Sequence, residues 1–284
     1  MDIRPILSTL RRHKTAAALI VFEIALSCAI VCNALFLISE RLERMDRPSG
    51  LAEQHLVSIR ISGVGEETDA AAQTRTDLAA LRAIPGVVAA SSTNQVTFGN
   101  SVWNTSMNHE EDQPQSSGQA ATYMGGPGLV DTLGVRLVAG RQFEPEEFIT
   151  WEALNEPGSE AGMAAVIVTR AFAEHMFPDE DPLGKQFYGW GSTPHRIVGV
   201  VEHLARPRDY GAPAEYEHAV IYPVETTYQV GGNYLIRVDD PARRAEVRAA
   251  AMAALASSGP TRIIQEETSQ TLEEMRAVYY QQDR

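Results

Sequence analysis

Residues 16–38, AAALIVFEIALSCAIVCNALFLI, form an apolar run of 23 residues with one ionisable side chain, Glu23. As a helix the run is roughly 34 Å long, enough to cross a hydrocarbon core of about 30 Å with some tilt. Arg4, Arg11, Arg12 and Lys14 precede it against Asp2 alone, whereas Glu40, Glu43 and Asp46 after it offset Arg41, Arg44 and Arg47. The positive-inside bias places the N-terminus in the cytoplasm and residues after about 40 outside. A cleaved signal would have a shorter apolar core, about 7–15 residues, ending at a small-residue site. Ala25-Leu26-Ser27-Cys28 resembles a lipoprotein signal only faintly, because a mostly apolar stretch continues past Cys28. A retained anchor is the better expectation.

Two polar residues sit inside this span. Glu23 and Asn33 are ten positions apart, so a helix turns them to within roughly 80° of each other, with Ser27 one turn from Glu23. Polar side chains in hydrocarbon are costly and face protein or snorkel to the interface. Ala25 and Ala29 add a small-xxx-small pair that permits close helix approach. The expectation is a helix packed through Glu23 and Asn33 against other spans, supplied by other chains or by a C-terminal part beyond this sequence.

The remainder is a different material. Net charge is -13 overall, but residues 1–47 carry +2 and residues 48–284 carry -15. A chain this acidic has no electrostatic footprint for DNA or RNA. Both cysteines, Cys28 and Cys32, fall within the span, so the exported part has neither a disulfide nor a thiol metal ligand and must rest on its own core.

Two stretches of that part are alike. HLVSIRISG leads to a helical TDAAAQTRTDLAALRAI, a Pro85-Gly86 stop and VVAASS; NYLIRVDD leads to PARRAEVRAAAMAALASS, Gly259-Pro260 and TRIIQEE. Leu78, Leu81 and Ile84, then Val247, Ala251, Ala254 and Leu255, recur at helical spacing. Asp240 is an N-cap followed by Pro241 at the first helical position. Strand–helix–strand occurring twice is the content of a split βαβ sheet. The fold class expected is therefore α+β: one transmembrane helix, then a two-lobed domain with a split βαβ lobe and an inserted, mainly β lobe. The division is 1–15 a basic cytoplasmic stub, 16–38 the span, 39–55 a stalk and 56–267 the two-lobed core. Within the core, 56–92 and 233–267 make the first lobe and 93–232 the insert, and 268–284 is a second stalk helix leading to a further span. Strands are expected at 95–98, 120–124, 135–138, 164–168, 186–190, 195–201 and 219–224, and short helices at 128–133 and 170–176. Segments 99–118, 143–162 and 206–218 read as polar loops, the first of them mobile. Thr271 and Glu274 have the spacing of a capping box for the last helix.

Chemistry is harder to find. No H-E-x-x-H, H-x-H or Cys/His spacing supports zinc, and no G-x-S-x-G elbow supports a serine hydrolase. Gly184-Lys185 lacks the Ser/Thr and the leading Gly of a phosphate loop, and Gly189-Trp190-Gly191-Ser192 is a hairpin turn. His109-Glu110-Glu111-Asp112 is a solvated run. His195, Glu202, His203 and His218 matter only if folding unites them. The expectation is no enzymatic activity, no cofactor and no metal.

Six phrases in order carry a resemblance: 81–87 (LRAIPGV), 133–143 (LGVRLVAGRQF), 165–178 (AVIVTRAFAEHMFP), 181–185 (DPLGK), 197–201 (IVGVV) and 235–241 (LIRVDDP). With the basic stub and the long span before them, the chain resembles the MacB/FtsX-type ABC transporter permeases over nearly its whole length. The resemblance implies an inner-membrane permease with a periplasmic core domain of a porter-like lobe and an inserted one. It implies work as a dimer, homo- or heterodimeric, with a cytoplasmic ABC ATPase as a separate chain, membrane lipid around the span and a periplasmic adaptor as a further partner. The function expected is export or extraction of a substrate, driven by periplasmic movement. The alternative is an anchored periplasmic binding or sensor module for a cationic peptide.

Overall fold

The computed structural model describes residues 14–64, 69–157, 159, 161–208, 215–259 and 262–281. Most of the basic stub therefore lies outside the described residues, as do residues 282–284 of the segment expected to form the last helix. The chain divides into a unit built on the N-terminal helix and a second unit, Pro48–Tyr279.

Helix α1 (Lys14–Asp46) is continuous over 33 residues. No Gly or Pro interrupts it, Arg44 complements the dipole in its last turn, and Pro48 stops it. Its apolar stretch is long enough to cross a membrane and is wholly exposed within the chain. In the same unit, the Arg44 guanidinium lies 5.9 Å from the Tyr280 ring centroid.

The first lobe of the second unit is a sheet ordered β13–β1–β12–β2. Its chain order is β1 (Leu56–Gly63), α2 (Ala70–Arg82), β2 (Val87–Thr93), then far downstream β12 (Asn233–Val238), α6 (Arg244–Ser257) and β13 (Arg262–Ile264). Every neighbouring pair is antiparallel. Strands β1 and β2 are therefore parallel with β12 between them, which is the split βαβ arrangement. Asp69 caps α2 by accepting the Ala72 N–H at 3.0 Å. Asp240 caps a 3₁₀ turn, Pro241–Arg243, that leads into α6. Val57 and Ile59 stand opposite Ile236 and Tyr234 and pack on Leu81, Val247, Ala251 and Leu255 from the two helices. Fully burying such a side chain contributes about 1.5–3 kcal/mol.

The inserted lobe holds β3 (Asn104–Met107), β4 (Gly118–Met124), α3 (Leu129–Leu133), β5 (Leu137–Gly140), β6 (Ile149–Thr150), α4 (Trp151–Asn155), β7 (Ala165–Thr169), α5 (Arg170–Met176), β8 (Gln186–Phe187), β9 (His195–Val201), β10 (Ala219–Tyr222) and β11 (Val224–Glu225). Its main sheet is ordered β3–β4–β10–β7–β9–β5, with β8 on β9. Phe172 and Met176 of α5 close the core over Val166, Val168, Ile197 and Val220. After the second βαβ unit, β14 (Gln270–Thr271) pairs with β1 and leads into α7 (Leu272–Tyr279). The capping box is present: the Thr271 N–H donates to Glu274 Oε2 at 2.8 Å, and Thr271 Oγ1 accepts the Glu274 N–H at 3.2 Å.

Local expectations fail in three places, one of them the loop expected at 143–162, which holds β6 and α4. Residues 95–98 are buried but form no strand, and Phe98 sits at φ 65°. The chain there crosses between sheets, and side chains replace the ladder. Asn94 bonds both Thr122 O and the Met124 N–H, and Gln95 bonds Thr122 O at 3.0 Å and the Trp103 N–H at 2.6 Å. Conversely, the segment expected to be a mobile loop contains β3, an edge strand paired antiparallel with β4. Its sequence, NTSM, lacks apolar alternation because little of its surface is buried.

Candidate functional site

Glu23 and Asn33 lie on the uninterrupted α1, about 15 Å apart along the axis. Both are exposed, and among the described residues neither has a hydrogen-bond partner. The histidine candidates stay apart. His195 is buried, with Nδ1 2.6 Å from Met163 O and Nε2 accepting the Trp190 N–H at 3.1 Å. Burial holds its pKa below the ordinary 6.5. Glu202 engages Arg136 and Arg170, and His203 meets Glu217 at 2.9 Å. His218 packs against His175 at 4.9 Å between ring centroids, and burial, then the His175 charge, lower its pKa. Residues 109–112 are exposed, and among the described residues no group of three His, Cys, Asp or Glu is placed to hold a metal.

Three arrangements were not visible in the sequence. The first is a cleft of about 300 Å³ between the lobes. Thr74, Arg75, Leu78 and Arg82 of α2 line one wall, and Thr150, Glu152, Glu225 and Thr227 line the other. Few bonds tie the lobes here: Thr74 Oγ1 accepts the Tyr228 N–H at 3.0 Å, and Ser92 Oγ donates to Thr226 O at 2.7 Å. Arg82 donates to Ala90 O on its own lobe at 2.8 and 3.1 Å and reaches Pro127 O of the inserted lobe at 3.5 Å. Among the described residues Arg75, Arg82, Glu152 and Glu225 form no ion pair, so opposite charges face an open cleft.

The second is a buried ionic knot in the first lobe. Asp77 is 0% exposed and the Arg262 side chain 2%. The Asp77 carboxylate accepts from the Arg262 guanidinium, the Tyr234 hydroxyl at 2.6 Å, Gln73 Nε2 at 2.9 Å and Ser258 Oγ at 2.9 Å. Arg262 also donates to Leu255 O at 3.1 Å and lies 5.1 Å from the Tyr228 ring centroid. Burial, reinforced by the Asp77 charge, pushes the Tyr234 hydroxyl far above its ordinary pKa. A carboxylate buried this deeply is tolerated because both its oxygens are engaged, although Arg262 Nε is left without an acceptor among the described residues.

The third is aromatic. The chain has three tryptophans, and all three meet. Trp103 and Trp190 lie nearly parallel at 6.2 Å and 12°, while Trp151 stands edge-on to both, at 5.7 Å and 74° and at 6.0 Å and 76°. Each is half-buried.

An apolar helix of membrane-spanning length followed by a two-lobed α+β domain fits a membrane-anchored protein. The model for the MacB-like periplasmic core domain matches residues 18–254, so the chain belongs to that family, the periplasmic domain of ABC-type transporter permeases. No curated protein matches in sequence. Among solved structures the chain is similar to the extracellular domain of the noncanonic ABC-type transporter YknZ from Gram-positive bacteria. That match has 14% identity and a TM-score of 0.44, over 74% of this chain and 100% of that one. It is similar also to the periplasmic region of MacB from Actinobacillus actinomycetemcomitans, at 14% identity and a TM-score of 0.43, over 81% of this chain and 98% of that one.

Proposed function

We propose that this chain is the N-terminal part of a permease subunit that couples a separate cytoplasmic ATPase to periplasmic movement, for export or extraction of a substrate. The carrying observation is the span of the family match, which begins inside the apolar helix and runs through both lobes. The N-terminus is cytoplasmic and residues after about 40 are periplasmic, in the inner membrane, by the charge bias across the span. Residues 39–55 and 268–284 act as stalks flanking the core, and a second permease copy packs through Glu23 and Asn33. A periplasmic adaptor is a further partner. The sparse bonding across the inter-lobe cleft supports relative movement of the lobes. The test is co-purification of the full-length gene product from membranes, followed by an ATPase assay. A stoichiometric ATPase chain with vanadate-sensitive turnover is expected; a lone chain without ATPase would refute the proposal.

A second reading, an anchored binding module for a cationic peptide, draws on the -15 charge of residues 48–284. It predicts saturable peptide binding and no ATPase partner.

A further inference from the structure

We propose that the tryptophan cluster of the inserted lobe is a docking patch for an arginine- and lysine-rich peptide segment. This deepens the ligand chemistry of the second reading, yet it holds equally for a permease whose partner or cargo presents such a segment.

The inserted lobe does not need these rings to fill its centre, which Val166, Val168, Phe172, Phe187, Ile197 and Tyr222 already occupy. Trp151 and Trp190 pack against that core, Trp103 lies nearly parallel to Trp190, and all three rings stay half-buried. A half-buried indole cluster resting on rigid protein has the form of an interface anchor. The backbone at each ring is pinned. The Trp103 N–H donates to Gln95 Oε1, and its carbonyl accepts the Thr122 N–H at 2.8 Å. The Trp190 N–H is held by buried His195. Trp151 opens α4 behind the Thr150 cap, where Thr150 Oγ1 accepts the Ala153 N–H at 3.2 Å. A platform fixed in this way loses little entropy on binding. Among the described residues none of the three indole N–H groups has a protein acceptor, so the donors remain free for a ligand.

Charge selects the occupant. The segments that carry the rings, 99–118, 143–162 and 186–194, contain nine Asp and Glu and no Lys or Arg. Arg141 engages Glu144 and Glu147, but Glu152 and Glu156, next to Trp151 and one turn beyond it, are exposed and make no ion pair among the described residues. Ring separations of 5.7 to 6.2 Å leave no room for a cation between the indoles. Guanidinium and ammonium groups would therefore lie on the outer faces, within about 6 Å of a centroid, steered by the acidic field.

Because every tryptophan of the chain is in the cluster, its emission reports this site alone. The full chain in nonionic detergent is titrated with a dodecapeptide of Arg, Lys and Leu that lacks aromatics. A Glu-for-Arg/Lys counterpart and chitotetraose serve as comparison probes. The expected result is a saturable emission change with the basic peptide alone. Trp190→Leu should raise Kd at least tenfold, and Trp103→Phe, which keeps the packing, at least threefold. Glu266→Gln with Glu267→Gln, which removes two charges from the other lobe, should leave Kd within twofold. The proposal is overturned if emission does not respond, if chitotetraose saturates the site instead, or if Kd follows net charge alone across these variants. ATPase turnover is not read here, so such a failure leaves the permease reading untouched.

Discussion

Replacing Asp77 with Ala removes the acceptor on which four buried or half-buried donors converge. The Arg262 guanidinium keeps Leu255 O but loses its counter-charge inside the lobe. Breaking a buried pair from one side costs about 3–5 kcal/mol. The stranded Tyr234 hydroxyl pulls the total toward the upper end, because an unmet buried polar group costs about 1–3 kcal/mol. For a domain of this size each kcal/mol lowers Tm by about 2–4 °C, so a loss of about 4 kcal/mol predicts a drop of roughly 8–16 °C. The control is the triple variant Asp77→Leu, Arg262→Met, Tyr234→Phe, which removes both charges and the buried hydroxyl at once and strands only the half-buried Gln73 and Ser258. Buried ion pairs replaced by apolar groups of similar volume are commonly neutral or stabilising, so the triple variant should recover most of the loss. Far-UV circular dichroism melts of the full chain in detergent measure both. A drop under about 2 °C for Asp77→Ala, or a triple variant as unstable as the single one, would refute the reasoning.

Gly50→Ala should be strongly destabilising, since φ is +81° and the new Cβ would stand 2.0 Å from His203 O; a melt within 2 °C of wild type contradicts this. His218 has its pKa lowered by burial and then by His175, so below the ordinary 6.5 the unfolded chain binds more protons and stability rises with pH through that window. His218→Gln should flatten the pH 5–6.5 stability slope, which is at most about 1.4 kcal/mol per pH unit for one proton; an unchanged slope in urea titrations would exclude the residue as its source. Glu23→Leu with Asn33→Leu should leave the domain melt unchanged while weakening dimer and ATPase association, and cross-linking yields equal to wild type would show that the two polar groups do not hold the span.

The sequence signals that succeeded are local. Asp240 is a cap, Pro85-Gly86 is a stop, and Thr271 with Glu274 bond within a single turn. The α1 span is legible for the same reason, because hydrocarbon acts on each residue separately. Alternation misled at 95–98, since burial of Val96 and Phe98 comes from a crossing between sheets rather than from a ladder. Strand β3 was hidden because its partner β4, not its own polar residues, makes it a strand.

What bears on function is built from long separations. Asp77 and Arg262 are 185 positions apart, and Trp103, Trp151 and Trp190 come from three different connections of the inserted lobe. Such contacts leave no periodicity to read. They also carry a physical consequence: β1 has no neighbour until β12 arrives from beyond the insert, so its loop-closure entropy is large unless the insert shortens the path. The main sheet of the insert, from β3 to β10, closes within its own stretch of chain, and its folding brings the ends of β2 and β12 together. Asn94 and Gln95 bonding Thr122 and Met124 fix that junction. The two lobes are thus coupled through the buried crossing after β2 and through α3, which packs on β2 and β12.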